Sequence, residues 1–472
     1  MDTPGDTLVI LFTFIYTSTT MAAREKCPDR NCIWCKKLAY VEMLEVAALV
    51  SAWEKRREHR LQGLPPPTDD LAVGDDEKKT LYVPVQKVEK CDACGKRENL
   101  RVCQACASAV YCSKTCQKID WPNHKLLCIR TKKINLKTFH PFIAYLFTWI
   151  RHKMRNDTNV RSTHPGLWHT IIQSPIPGTR KAAQHDQVLR RTAILGRPYP
   201  DQDFNLRQWA QGSKGPEGAN MLYSHIIHEG HTLELTAAVA LTLLTEIYAT
   251  ETIETAPSPV GANGKGNHGG PCFRLEYGTS VISDFGICKG KIRGRKYRVQ
   301  IWTYENLATN ESTTVLDPDD HYWLYFKTVT NEEVTLDCNT WSYGMPGTVD
   351  ASHCTEDLPH SMTIENISAL PAYFRTPNSR PQQDYAVTEE SRHSVMHDSH
   401  LQELLRSGQS PRISMVKDAE KVNLFLAKVY GRTITFEEEE KIFWYRARLS
   451  SILNHLLTGE HWTTWGKTKK LS

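Results

Sequence analysis

The N-terminus of this 472-residue chain has no apolar run long enough to span a bilayer. LVILFTFIY, Leu8 to Tyr16, falls far short of the roughly 20 residues a membrane helix needs. Its flank MDTPGDT contains two acids and no Lys or Arg, so the positive region of a secretory signal is missing. Met21 opens MAAREKCPDR, an ordinary cytosolic start, which leaves open whether residues 1–20 belong to the mature protein. There is no internal repeat, which argues against a solenoid. Strong charge of one sign is also missing: a net +5 over this length is mild and does not suggest a nucleic-acid protein. The densest basic run, Lys289 to Arg298, falls in a region that reads as strand and turn, and a solvated face accounts for it. HEGH, His228 to His231, lacks the four-residue histidine spacing of a helical zinc protease site. Its two histidines, three apart, are expected on one helix face.

Cysteine, by contrast, is plentiful and concentrated. Cys91, Cys94, Cys103, Cys106, Cys112, Cys116, His124 and Cys128 form C-x2-C, C-x2-C, C-x3-C and H-x3-C pairs in one short stretch. Thiolates and imidazole at these spacings are what Zn²⁺ takes in closed tetrahedral sites, and eight ligands serve two ions. Pairs two apart fit one knuckle turn. Pairs four apart lie on one face of a helix. Free thiolates require a reducing compartment, so the expected location is intracellular, cytoplasmic or nuclear. Spacing alone leaves both sequential and interleaved pairings open.

The stretch CDACGKRENLRVCQACASAVYCSKTCQKIDWPNHKLLC resembles the MYND zinc finger. It matches in all eight ligands, in Tyr111-Cys112-Ser113, in Cys116-Gln117 and in the Asp120-Trp121 step before His124. The resemblance implies interleaving: Cys91, Cys94, Cys112 and Cys116 around one zinc, Cys103, Cys106, His124 and Cys128 around the other. It also implies a protein partner that offers a proline-containing peptide, with Gln117 and Trp121 lining the groove. An indole face suits a proline-rich strand that is already extended. The alternative for Trp121 is a hydrophobic plug in a very small core. Asp120 is expected as the N-cap of a short helix with Pro122 in its first turn. About forty residues bury too little apolar surface to fold alone, so zinc binding is expected to supply the folding energy.

The expected architecture is α+β and multi-domain, with the small interleaved two-zinc finger followed by a larger α+β domain containing an antiparallel sheet. Residues 1–64 read as an N-terminal segment with an amphipathic helix over 36–62. Cys27, Cys32 and Cys35 lie before that helix, and a third zinc there would need a distant fourth ligand such as His59. Pro65-Pro66-Pro67 stops the helix, and 65–90 reads as a linker. The finger occupies 91–128 and the α+β region 134–460. Within the latter, 134–154 and 221–248 read as helical, the second broken near Gly230. Residues 156–215 read as loops and short elements, and 256–270 as a flexible linker. Phe273–Tyr277, Tyr297–Trp302, Tyr322–Phe326 and Glu333–Asp337 read as strands of one antiparallel sheet. Residues 424–457 return to helix, with the acids at 437–440 suited to a helix start.

Some MYND-containing proteins are SET-domain methyltransferases, but the Asn-His and Pro-Asn elements of that domain are missing here. A second enzymatic reading rests on HYWLYF from His321, VTLD ending at Asp337, and Cys272 upstream, at separations of 49 and 16 residues. This order resembles a transglutaminase-like or papain-like enzyme, in which a thiolate needs an imidazole and an orienting carboxylate. It requires Cys272 at a helix N-terminus beside His321. The HYWLYF…VTLDC stretch also resembles MYND-finger proteins of fungi. The preferred reading is a zinc-binding adaptor without nucleic-acid or membrane partners and without a catalytic residue.

Overall fold

The computed structural model describes residues 79–465 apart from 87, 154–163, 176–187, 200–203, 252–271, 295–298, 346, 357, 360–361, 365–368, 380–384 and 407–418, plus a few positions between 55 and 63. The expected helix at 36–62, Cys27, Cys32 and Cys35, the linker to residue 78 and the flexible stretch at 256–270 lie essentially outside the described residues.

In chain order β1 (Lys79–Leu81) precedes the finger and pairs with a later strand, and the finger region contains β2 (Arg101–Val102), β3 (Val110–Tyr111) and α1 (Lys114–Arg130). Helix α1 runs directly into β4 (Thr131–Asn135), followed by α2 (Leu136–Lys153), β5 (His169–Gln173) and β6 (Val188–Pro198). Then come α3 (Gly215–His228), α4 (Thr232–Ile247), β7 (Ala249–Glu251), β8 (Cys272–Tyr277) and β9 (Ser280–Gly294). Strands β10 (Val299–Asn306), β11 (Glu311–Thr314), β12 (His321–Thr328) and β13 (Glu333–Asp337) follow. The remainder is β14 (Thr348–Asp350), β15 (Ala369–Pro371), β16 (Tyr373–Arg375), β17 (Tyr385–Ser394), α5 (Ala419–Tyr430) and α6 (Phe436–Thr458).

The α+β expectation holds, but the strands form two main sheets. One has seven strands, ordered β16-β13-β12-β9-β8-β4, with β17 also on β9. The other is β11-β10-β6-β5, with β10 parallel to β6. The stretch Tyr297–Trp302 therefore belongs to a different sheet from the other three expected strands. Nor is the larger sheet wholly antiparallel, because β4 and β8 run parallel. Residues 156–215 hold more than loops and short elements: β6 spans 11 residues. Its polar VLRRTAILGRP reads poorly as a strand because only Ala193 and Leu195 are buried along it.

Helix α4 is apolar on nearly every side and lies at the centre of the main core. It packs with α2 and α6 against Leu275, Phe285, Ile287, Leu324 and Leu336 of the larger sheet. Gly230, at φ +74, makes the expected break between α3 and α4. The acids at 437–440 do start a helix: Thr435 and Glu438 form a capping box at the head of α6. A second core joins α3 to the smaller sheet through Ile171, Leu195, Leu222, Ile226 and Tyr304. The finger has a third, small core of its own. No helix among the described residues is long and apolar enough to cross a membrane.

Candidate zinc centre and peptide surface

Two knuckles place four donor groups, α1 places Cys116, His124 and Cys128, and the turn between β3 and α1 places Cys112, so only His124 and Cys128 share a helix face as a pair. After Cys94, Gly95 takes φ +72 and donates its N–H to Cys91 O at 2.8 Å. After Cys106, Ala107 takes φ +55 and donates to Cys103 O at 2.8 Å, which repeats the turn with a methyl group present. Ser113 caps α1 by accepting from Cys116 N. Asp120 is therefore not the N-cap, and Pro122 lies in the helix interior. The capping expectation gave way because Ser113, right after the Cys112 ligand, starts the helix earlier. Asp120 instead accepts from Tyr111 Oη at 2.7 Å and from Asn123 Nδ2 at 3.3 Å.

The donors gather as Cys91, Cys94, Cys112 and Cys116 in one group and Cys103, Cys106, His124 and Cys128 in the other, each set within 4.8 Å. The pairing is interleaved. With Zn–S near 2.3 Å, tetrahedral sulfurs stand about 3.8 Å apart, whereas a disulfide needs about 2.05 Å. Cys94 and Cys112 are 3.5 Å apart, Cys112 and Cys116 3.5 Å, and Cys103 and Cys128 3.8 Å. His124 Nε2 lies 3.5 Å from Cys106 Sγ and 3.3 Å from Cys103 Sγ. Packed this closely, the thiols resist ionising together. Contact with Cys116 and then Cys94 pushes Cys112 up to about 12, and contact with Cys103 raises Cys106. A central dication removes that conflict, so the donor sets fit two zinc ions. Closed sets of four ligands leave no position for a reacting water, and zinc here has a structural role.

The second site also has local support. Ser108 N points at Cys106 Sγ from 3.4 Å, and Gln117 Nε2 at Cys103 Sγ from 3.8 Å. The rings of Tyr111 and Trp121 stand edge-on to His124 at 5.8 and 6.0 Å. Trp121 nonetheless remains 36% exposed, so it braces the second site with one edge and shows the rest to solvent.

The residues of the enzymatic alternative are only partly brought together. His321 Nε2 and Asp337 Oδ2 are 2.6 Å apart on neighbouring strands. Cys272 opens a strand instead of a helix and is fully buried. Glu276 pairs with Val281 and His321 with Gly290 on β9. The helix N-terminus that this reading requires at Cys272 is not formed.

His228 and His231 do not share a helix face. His228 ends α3, and His231 sits at φ 50 before α4. Of the two residues between them, Gly230 makes the break and Glu229, which the sequence did not single out, holds a polar cluster together. Glu229 is buried and receives His164 Nε2 at 2.9 Å, His225 Nε2 at 2.8 Å and Tyr304 Oη at 2.6 Å. His164 Nδ1 accepts from Gly166 N, so its Nε2 carries the proton that faces the carboxylate. With three donors on it, Glu229 forms a satisfied structural cluster. The basic run is likewise neutralised where it is described, by Lys289–Asp320, Lys291–Glu390 and Arg293–Asp319 pairs.

The MYND finger family matches residues 91–128, and this segment is a MYND finger carrying two Cys/His clusters. The chain is 53% identical over 38 residues to Egl nine homolog 1 of Homo sapiens, covering 8% of this chain and 9% of that protein. It is 51% identical over 39 residues to N-lysine methyltransferase SMYD2 of Gallus gallus, again 8% and 9%. Histone-lysine N-methyltransferase ASHR1 of Arabidopsis thaliana is 33% identical over 87 residues, 17% of this chain and 18% of that protein. The chain thus spans less than a fifth of each of these relatives. No solved structure matches.

Proposed function

We propose that this protein is an intracellular adaptor whose finger docks a proline-containing segment of a protein partner on the exposed face of α1. One observation carries the reading: an indole left 36% exposed in the middle of a helix that two metal sites hold rigid. Lys114, Lys118, Trp121, Lys125 and Ile129 recur at helical spacing on that face and are all exposed. Gln117 sits at its margin, toward the second site. A preformed extended proline strand lies on the indole at little entropic cost. The three lysines favour a partner with acidic residues next to its prolines, and they make binding weaken as salt rises.

The test is calorimetric titration of a proline-containing peptide with acidic flanks against the full chain and its Trp121→Ala variant, with zinc measured in both. The expected outcome is two zincs in each protein and an affinity loss of about 2 kcal/mol or more in the variant, as for an aromatic anchor. Equal affinities would place the contact surface elsewhere.

A further inference from the structure

Arg274 is fully buried in β8, and no carboxylate among the described residues is in ion-pair contact with it. Its fork is spent on the second zinc knuckle. Nε donates to Cys106 O at 3.3 Å, Nη2 to Ser108 Oγ at 3.3 Å, and Nη1 to Phe273 O at 2.7 Å. The guanidinium also lies 5.5 Å from the centre of the Tyr248 ring. A buried cation is costly without a compensating charge. A Zn²⁺ bound by three thiolates and one neutral imidazole carries a formal charge of −1, and Cys106 is one of those thiolates.

We infer that the second zinc site is the joint between finger and body, with its charged cluster acting as the counter-ion of Arg274. The contact pattern is one-sided in the way this requires. Hydrogen bonds from outside reach the finger at Cys106, Ala107 and Ser108, the one at Ala107 O coming from Val85 N at 2.8 Å, and at the end of α1, where Thr131 Oγ1 donates to Leu127 O at 2.9 Å beside Cys128 of the second site. Cys106, Ala107 and Ser108 all belong to the second knuckle. The chain also leaves the second site through Cys128 and enters β4, which pairs with the strand that holds Arg274: Lys133 lies opposite it. The first site contains the exposed Cys94, and Arg274 donates to none of its four ligand residues. Arg274 is a positioning residue in this scheme. The inference does not depend on the peptide reading.

The experiment uses the full chain and two readouts, zinc per chain and amide hydrogen exchange across residues 131–135 and 272–277. Cys94→Ser is expected to lose the first zinc and leave exchange in β4 and β8 within twofold of wild type. Cys103→Ser is expected to lose the second zinc and speed that exchange at least tenfold. Ser108→Ala removes one acceptor of Arg274 without touching a ligand; it should keep two zincs and speed exchange severalfold. Arg274→Met should do the same more strongly, and if it fails to fold, Ser108→Ala still decides. Equal acceleration in Cys94→Ser and Cys103→Ser would overturn the inference, as would wild-type exchange in both Cys103→Ser and Ser108→Ala.

Discussion

At the scale of single residues, Glu229 shows how a buried charge is kept. Burial alone would raise its pKa, but the hydrogen bonds from His164 and His225 outweigh this and hold it down to about 2. A carboxylate depressed in the folded state stabilises the fold above its unfolded pKa, near 4.5. That contribution is lost as the pH falls from about 4.5 toward 2. The difference between about 4.5 and about 2 corresponds to roughly 3 kcal/mol. Glu229→Gln is expected to be less stable than wild type by about that much at pH 7 in denaturant unfolding, by less than half as much at pH 3, and by little at pH 2. Because acid also releases zinc, the variant and wild type must be compared at each pH. A variant as stable as wild type at pH 7 would mean that the carboxylate adds nothing over a neutral amide. Gly95 allows a simpler test. A methyl group there meets nothing within 4 Å, so Gly95→Ala costs only the left-handed backbone, about 1 kcal/mol, with both zincs retained.

Among the secondary-structure elements, β9 organises the larger sheet. Its start pairs with β8, its middle and end with β17 on the same edge, and β12 lies along its other edge. Two glycines permit the close approach of β17: a Cβ on Gly286 would lie 2.0 Å from His393 O, and one on Gly290 2.0 Å from Thr388 O. Both obstacles are backbone, which cannot rotate away. Gly286→Ala is therefore expected to displace β17 and lower the unfolding midpoint by several degrees; a melt identical to wild type would show that the strand gives way easily. These elements also show what the sequence could and could not reveal. The finger was legible because four ligand pairs at fixed spacings admit few arrangements, and α4 because its apolar run exceeds any strand. Strand β4, TKKIN, was not legible: only Ile134 is fully buried, and its partner β8 begins far along the chain. The His321–Asp337 contact was foreseen from strand neighbours, but the place of Cys272 depended on register, which hydrophobic pattern does not carry across an uncertain loop.

Across the whole molecule, the separate cores must be joined, and among the described residues buried arginines make two of the joints. Arg274 ties the finger to the body. Arg151, near the end of α2, donates to His228 O at the C-terminus of α3 and, at 2.6 Å, to Asn339 Oδ1 just beyond β13. It thereby links the main core, which contains α2, to the core built on α3 and the smaller sheet. Burial lowers its pKa to about 10, so it remains charged at neutral pH. The C-terminal end of α3 carries partial negative charge and partly offsets that cation. Nothing near Arg151 or Arg274 in sequence announces these roles, because the acceptors that make the joints lie 77 to 188 residues away. Arg151→Met keeps the apolar stem and leaves His228 O and Asn339 Oδ1 each short of a donor. The expected cost is about 2 to 4 kcal/mol. It should fall unevenly across the molecule. In a denaturant titration, the fluorescence of Trp209 and Trp302, both in the second core, should change before the far-ultraviolet signal of the whole chain. Coincident transitions in the variant would show that the cores are held together by packing and by the chain alone, and that Arg151 only adds stability to a unit already cooperative.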